Sequence, residues 1–135
     1  MSLQYSVAVR NAKLDAVEVA VGATAVLKIR TGAPPADVAT ADSGTVLATL
    51  TLPADWMAAA SGGTKAKAGT WQDTSADAAG TAAHFRIYAS DGTTAHIQGT
   101  VTATGGGGDM TLDNVVIALA QSITITSFVL TSGNG

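Results

Sequence analysis

The sequence predicts a mainly β protein, a jelly-roll-like antiparallel β-sandwich led by one short N-terminal α-helix. Three observations carry that prediction. Val, Ile and Thr alternate at period two in TVLATLTL (45–52), HFRIYA (84–89), HIQGTVTA (96–103) and QSITITSFVL (121–130). Such residues fit a pleated, half-buried surface. Glycine-rich turns separate about eight such short runs, the rhythm of a sandwich or jelly roll. A helical period occurs once, ahead of Gly22.

Residues 6–21 read as that helix. Val9, Ala12, Ala16, Val17 and Ala20 recur near every 3.6 residues, with Leu14 and Val21 beside the stripe. Gly22 can take the left-handed conformation that ends a helix. The helix either packs on the edge of the sandwich or forms an arm that grips a neighbouring subunit. The division is thus a helical arm, residues 1–22, and a β-sandwich, residues 23–135, within one domain.

Residues 25–31 (AVLKIRT) form the first strand and 32–44 a loop, because Pro34 and Pro35 cannot join a central ladder. In the next strand Val46, Ala48, Leu50 and Leu52 share a face, and Pro53 ends it. DWMAAA (55–60) reads as one helical turn or as a strand with Trp56 buried. Residues 61–67 read as a flexible Gly/Lys loop, 69–72 as a short strand carrying Trp71, and 73–80 as a polar loop.

The hairpin over 83–103 permits a register argument. Phe85 and Ile87 share one face, as do Ile97, Gly99 and Val101. A three-residue loop, Asp91-Gly92-Thr93, pairs Ile87 with Ile97 and Phe85 with Gly99, keeping the apolar face whole. It also sets His84 opposite Thr100 and His96 opposite Tyr88, both histidines on an exposed polar face. After four glycines at 105–108 come strands at 110–112 and 115–120. The last strand changes parity between Ile125 and Phe128, which predicts a bulge near Ser127. The tail, 131–135, reads as loose.

Composition excludes several functions. Cysteine is absent, which removes disulfides, thiolate chemistry and Cys-based zinc sites. A net charge of −3 with scattered Lys and Arg lacks the basic face that phosphate backbones require. The start, MSLQYSVAVRNAK, shows no secretory signal pattern, and no apolar run approaches a membrane span. The six aromatic residues, Tyr5, Trp56, Trp71, Phe85, Tyr88 and Phe128, make a thin core, and burial against a partner would compensate for it.

Candidate chemistry is sparse. The glycine run is followed by Asp109-Met110, not by the Lys-Ser/Thr of a phosphate loop. Two histidines four residues apart along a strand stand roughly 13 Å apart, too far to share a metal. The loop aspartates read as turn caps rather than calcium ligands, and no nucleophile elbow occurs. Trp56 and Trp71 read as core or subunit-interface residues before they read as a sugar platform. The expectation is therefore no catalytic residue, no cofactor, no metal and no small-molecule substrate.

The segments RNAKLDAVE, LKIRTGAPPADVATADSGTVLATLTLPADWMAAASGGTKAKAGTWQDTSADAAGTAAHFRIY and HIQGTVTATGGGGDMTLDN resemble a family of small tailed-phage structural proteins. These are the cement, or head-decoration, proteins on capsids of short-tailed phages related to a Bordetella phage. The resemblance implies a jelly-roll-like fold, self-association, contacts to the major capsid protein, a place on the virion exterior and no catalytic residues. Leu14, Val17, Val21, Trp56 and Trp71 are then the expected interface residues.

Overall fold

The computed structural model describes residues 3–132. The chain is mainly β, with one helix and a curled sheet. Helix α1 spans Val7–Val21. The strands follow as β1 Val26–Arg30, β2 Val46–Thr51, β3 Thr64–Ala66, β4 Trp71–Asp73, β5 Gly80–Thr81 and β6 His84–Tyr88. Then come β7 Ala95–Ala103, β8 Met110–Leu112, β9 Val116–Ile117, β10 Ile123–Ile125 and β11 Val129–Thr131.

Five strands form one sheet in the order β2-β1-β6-β7-β8. Neighbours are antiparallel except β7 and β8, which run parallel. Three two-stranded pieces, β10-β4, β11-β3 and β5-β9, complete the strands. β4 lies against β2 at one edge of the large sheet, and β10 lies against β8 at the other. The sheet thus curls around its core, with the β10-β4 pair bridging its edges.

The core follows from strand register. Leu50, Leu27, Ile87 and Ile97 stand in one row across β2, β1, β6 and β7, and Ala48, Ile29, Phe85 and Gly99 in the next. Period two puts both rows on one face. Leu27, Ile29, Leu50 and Ile87 are fully buried there, each contributing roughly 1.5–3 kcal/mol. A β-carbon on Gly99 would stand 2.8 Å from the Phe85 ring. Phe85 therefore covers bare backbone, as the register argument requires.

The opposite face is the surprise. All five residues of β6, HFRIY, are buried, so His84 is not exposed, whereas His96 is. The loop at 32–44 folds back over this polar face. Arg86 is its anchor: it donates to Asp42 Oδ1 at 2.8 Å, to the carbonyls of Thr40 at 2.8 Å and Asp37 at 3.0 Å, and to Gln98 Oε1 at 2.9 Å. Arg30 donates to Asp42 Oδ2 and to the Tyr88 hydroxyl, each at 3.1 Å. Tyr88 donates to Asp42 Oδ1 at 2.8 Å. Gln98 Nε2 reaches the Pro35 carbonyl at 2.8 Å, and His84 Nδ1 the Gly32 carbonyl at 2.7 Å. A carbonyl only accepts, so Nδ1 carries the hydrogen.

The hairpin keeps the predicted core pairs but turns differently. Ile87 pairs with Ile97 and Phe85 with Gly99, while Tyr88 pairs with Ala95 and the register shifts beside it. The connection holds four residues, 90–93, closed by Ala89 N–H to the Thr94 carbonyl. His96 is consequently bulged out of the ladder and does not face Tyr88. Asp91 explains the longer turn, because its carboxylate accepts from Thr93 N–H, Thr94 N–H and the Thr94 hydroxyl. The Thr94 hydroxyl and these N–H groups hold its carboxyl down to about 2.

The glycine run is a packed reversal. Parallel strands ordinarily need a crossover of about a dozen residues, yet only residues 104–109 separate β7 from β8. A β-carbon on Gly106 or Gly108 would stand 2.7 or 2.9 Å from Thr102, so only glycine lets the chain double back this closely. Other departures are local. Residues 61–67 contain β3, which pairs with β11, so this segment is no free loop and Thr131 is no loose tail. DWMAAA is extended, with a bridge from Met57 to Lys67 and Trp56 buried. The last strand does re-aim near Ser127, but there it divides into β10 and β11 on different partners. Residues 133–135 of the expected tail lie outside the described residues.

Asp42 holds both arginines, which makes it the test of this clamp. Burial pushes its carboxyl up, but Tyr88, Arg30 and Arg86 outweigh that and hold it below its ordinary 3.8. A lowered carboxylate stabilises the fold above the ordinary value, and that contribution disappears as pH falls through the lowered one. Asp42→Asn is expected to cost about 2–4 kcal/mol in urea unfolding at neutral pH, because two buried guanidinium groups lose their counter-charge. The gap between wild type and variant should close below pH 3.8. A variant as stable as wild type at pH 7 would refute the clamp.

Candidate interaction surfaces

Ser6 begins α1 as its N-cap, its hydroxyl accepting from Val9 N–H, and the Gly22 N–H closes the helix on the Glu18 carbonyl. The apolar stripe does not face the body. Val9, Ala12, Ala16 and Ala20 are exposed, and Val19 is 81% exposed. The docking face sets polar side chains around an apolar seam of Leu14, Val17 and Val21. Lys65 is 2% exposed and donates to Asp15 at 2.7 Å and to the Ala58 carbonyl at 2.9 Å, with Glu18 at 3.0 Å. Asp15 also accepts from Ala60 N–H at 3.0 Å, and Asn11 from Gly63 N–H at 2.9 Å. Met57 N–H reaches Glu18 at 3.3 Å, and Arg10 reaches the Ser132 carbonyl at 3.4 Å.

The reason is the segment beneath the helix. Residues 57–65 form a turn and a short strand whose backbone N–H groups need acceptors, and α1 supplies carboxylates and an amide. A buried lysine needs the same acids. The Lys65 and Ala60 hydrogen bonds hold the Asp15 carboxyl below its ordinary value. Burial would depress Lys65, yet Asp15 and Glu18 raise it above 10.5.

The five expected interface residues lie inside the chain. Leu14 and Val21 are buried under α1, and Val17 packs partly buried against the core. Trp56 and Trp71 are fully buried. Their rings lie 6.0 Å apart, and Trp71 and Phe128 lie 5.6 Å apart, as do Phe128 and Phe85. Trp56 Nε1 donates to the Gly22 carbonyl at 2.9 Å, tying the end of α1 to this aromatic row. Neither tryptophan offers a face to a sugar.

The surface offers other groups. The exposed large apolar residues gather on α1 and its leader, at Leu3, Tyr5, Val7, Val9 and Val19, with Val116 and Leu119 after β8 and Val129 on β11. A groove of about 390 Å³ between β7 and β11 has Phe85, Ile97, Phe128 and Leu130 among its walls. Its acid, Asp109, already accepts from the Thr100 N–H and hydroxyl. Among the described residues no three His, Asp or Glu side chains cluster as a metal site, and no helix is long and apolar enough to cross a membrane. No protein-family model matches this chain, and neither a curated protein nor a solved structure shows significant similarity to it.

Sequence reasoning placed the helix and left open whether it packs on the body or grips a neighbour; the structure packs it on the body through Leu14, Val21 and its polar side chains. The signal was present: Asn11, Asp15 and Glu18 lie on one side, within reach of a single lysine. Lys65→Ala is expected to lower stability to urea, because it leaves two carboxylates together without their cation. Amide exchange in α1 should quicken more than in β6. Uniform exchange change across both elements would show that α1 does not depend on this contact.

Proposed function

We propose that this chain is a non-enzymatic virion protein, a cement that binds the outer surface of a phage head and bridges major capsid protein subunits against internal DNA pressure. In this reading the curled sheet and its covering pairs form a jelly-roll-like sandwich, the protein self-associates, and its place is the capsid exterior. The family resemblance motivates the reading. The observation that carries it is the division of labour among side chains. Arg30, Lys65 and Arg86 are buried in internal bonds, while large apolar side chains stand in solvent on α1, after β8 and on β11.

That division suits a bridging protein. Exposed apolar patches mark surfaces that meet another macromolecule. Weak contacts repeated over a lattice gain by multivalency, so no single patch needs to be large. Nucleic acid is a poor partner, because three of the seven Lys and Arg residues are withdrawn from the surface.

Quantitative mass spectrometry of purified virions tests the reading. The expected result is a copy number near that of the major capsid protein. A handful of copies would move the protein to the neck, tail or baseplate, and absence from virions would overturn the structural role.

A further inference from the structure

We infer that residues 32–44 are an internal ligand, a lid that fills a site for an acidic peptide segment of another protein, with Asp42 in the place of that segment's carboxylate. The capsid reading rests on the exposed apolar residues and not on this face of the sheet, so the two can fail separately.

The first observation is how the lid is held. None of residues 32–44 is buried, and only Pro34, Pro35 and Val38 are half-buried. Its hold on the sheet is therefore mainly polar, and little apolar burial is lost when it leaves. Both ends carry a glycine in the left-handed region, Gly32 at φ +80° and Gly44 at φ +73°. The neck is closed by Thr31 N–H to the Thr45 carbonyl at 3.1 Å and by Thr45 N–H to the Thr31 hydroxyl at 2.9 Å. Such a lid can exchange its polar bonds for equivalent ones from outside while its neck stays shut.

The second observation is the floor. Register sets Arg86 beside Lys28 and His84 beside Arg30, and period two puts all four on one face with Tyr88. Lys28, Arg30 and Arg86 thus gather on one face of a chain whose net charge is −3. Among the described residues, Asp42 is the one carboxylate in an ion pair with them. Lys28 donates instead to the Gly92 carbonyl, 5.0 Å from the centre of the Tyr88 ring. Arg30 is also short of acceptors. It is 6% exposed, its Nε has no partner, and its Nη1 reaches only the Gly44 carbonyl at 3.5 Å. A guanidinium grips a carboxylate best through two parallel N–H bonds. Asp42, tethered in its loop, gives one oxygen to Arg30 and the other to Arg86.

The bonds themselves name the ligand. Besides the carboxylate, the floor takes backbone carbonyls: Arg86 those of Asp37 and Thr40, Gln98 that of Pro35 and His84 that of Gly32. Donors set for several peptide carbonyls and one carboxylate describe a peptide that bears an acid, not a free anion. A site filled by its own chain binds an outside segment more weakly, by the fraction of molecules that stand open.

A labelled peptide of residues 35–44, PADVATADSG, is the probe, and fluorescence anisotropy on the full chain is the test. Asp42→Asn in the chain loosens the lid, so this variant should bind the peptide about tenfold or more tightly than wild type. The peptide carrying Asp42→Asn should bind that variant about tenfold more weakly, having lost its charge-assisted bonds. Formate at the concentration of the peptide should not displace it. Circular dichroism verifies the variant's fold. Should the variant not fold, wild type gives the reading: excess peptide should shift the NMR signals of residues 37–42 and leave those of α1 in place, and unshifted signals would then refute the lid. Equal binding by variant and wild type, no binding by a folded variant, indifference to the peptide's carboxylate, or displacement by formate would overturn the inference.

Discussion

Everything on the polar side of the large sheet depends on Arg86. Its guanidinium is buried in the middle of β6, where an unpaired charge would be prohibitively costly. The chain meets that demand with a loop. Residues 32–44 supply the Asp42 carboxylate and the carbonyls of Asp37 and Thr40, and Gln98 supplies an amide oxygen. Once the loop is there, Arg30, Tyr88 and His84 gain partners too. A segment that local chemistry would leave wandering, with two prolines and several small polar residues, becomes a lid over the sheet. A buried ion cluster of this kind stabilises little compared with a well-packed apolar layer. It does fix one arrangement, since each nitrogen of Arg86 has a specified acceptor.

The same logic explains what could be read in advance. Period-two alternation located β2, β6 and β7, and the apolar register of the hairpin followed from keeping Phe85, Ile87, Ile97 and Gly99 on one face. The parity change between Ile125 and Phe128 located the break near Ser127. These are local signals, and short-range physics determines them. What stayed hidden was long-range pairing of polar groups. Nothing near His84, Arg86 or Tyr88 announces a loop about 45 residues earlier in the chain, so their face read as solvated. Lys65 looked like part of a flexible loop because its acids lie 50 residues away. A turn closed by Asp91 replaced a shorter one because three hydrogen bonds to one carboxylate outweigh the regularity of the ladder at His96.

The helix shows what a hydrophobic pattern leaves undecided. Alanine and valine at helical spacing leave open whether the stripe packs on the body or meets a neighbour. A small protein with few aromatic residues has another choice. It can spend its polar side chains on holding its own backbone and leave the apolar stripe outside. Asn11, Asp15 and Glu18 serve the turn and strand at 57–65, and Leu14, Val17 and Val21 still supply an apolar seam. Helix propensity is indifferent to which face is in or out, so tertiary demand decided it.

That decision has a consequence for the architecture. The aromatic row from Trp56 through Trp71 and Phe128 to Phe85 runs from the end of α1 to the large sheet. A load applied to α1 therefore passes through the Trp56–Gly22 hydrogen bond and packed rings into β6, and from β6 through Arg86 into the loop at 32–44. Both sides of the sheet are braced against motion of the helix. α1 is thereby part of the packed body and not a separate arm.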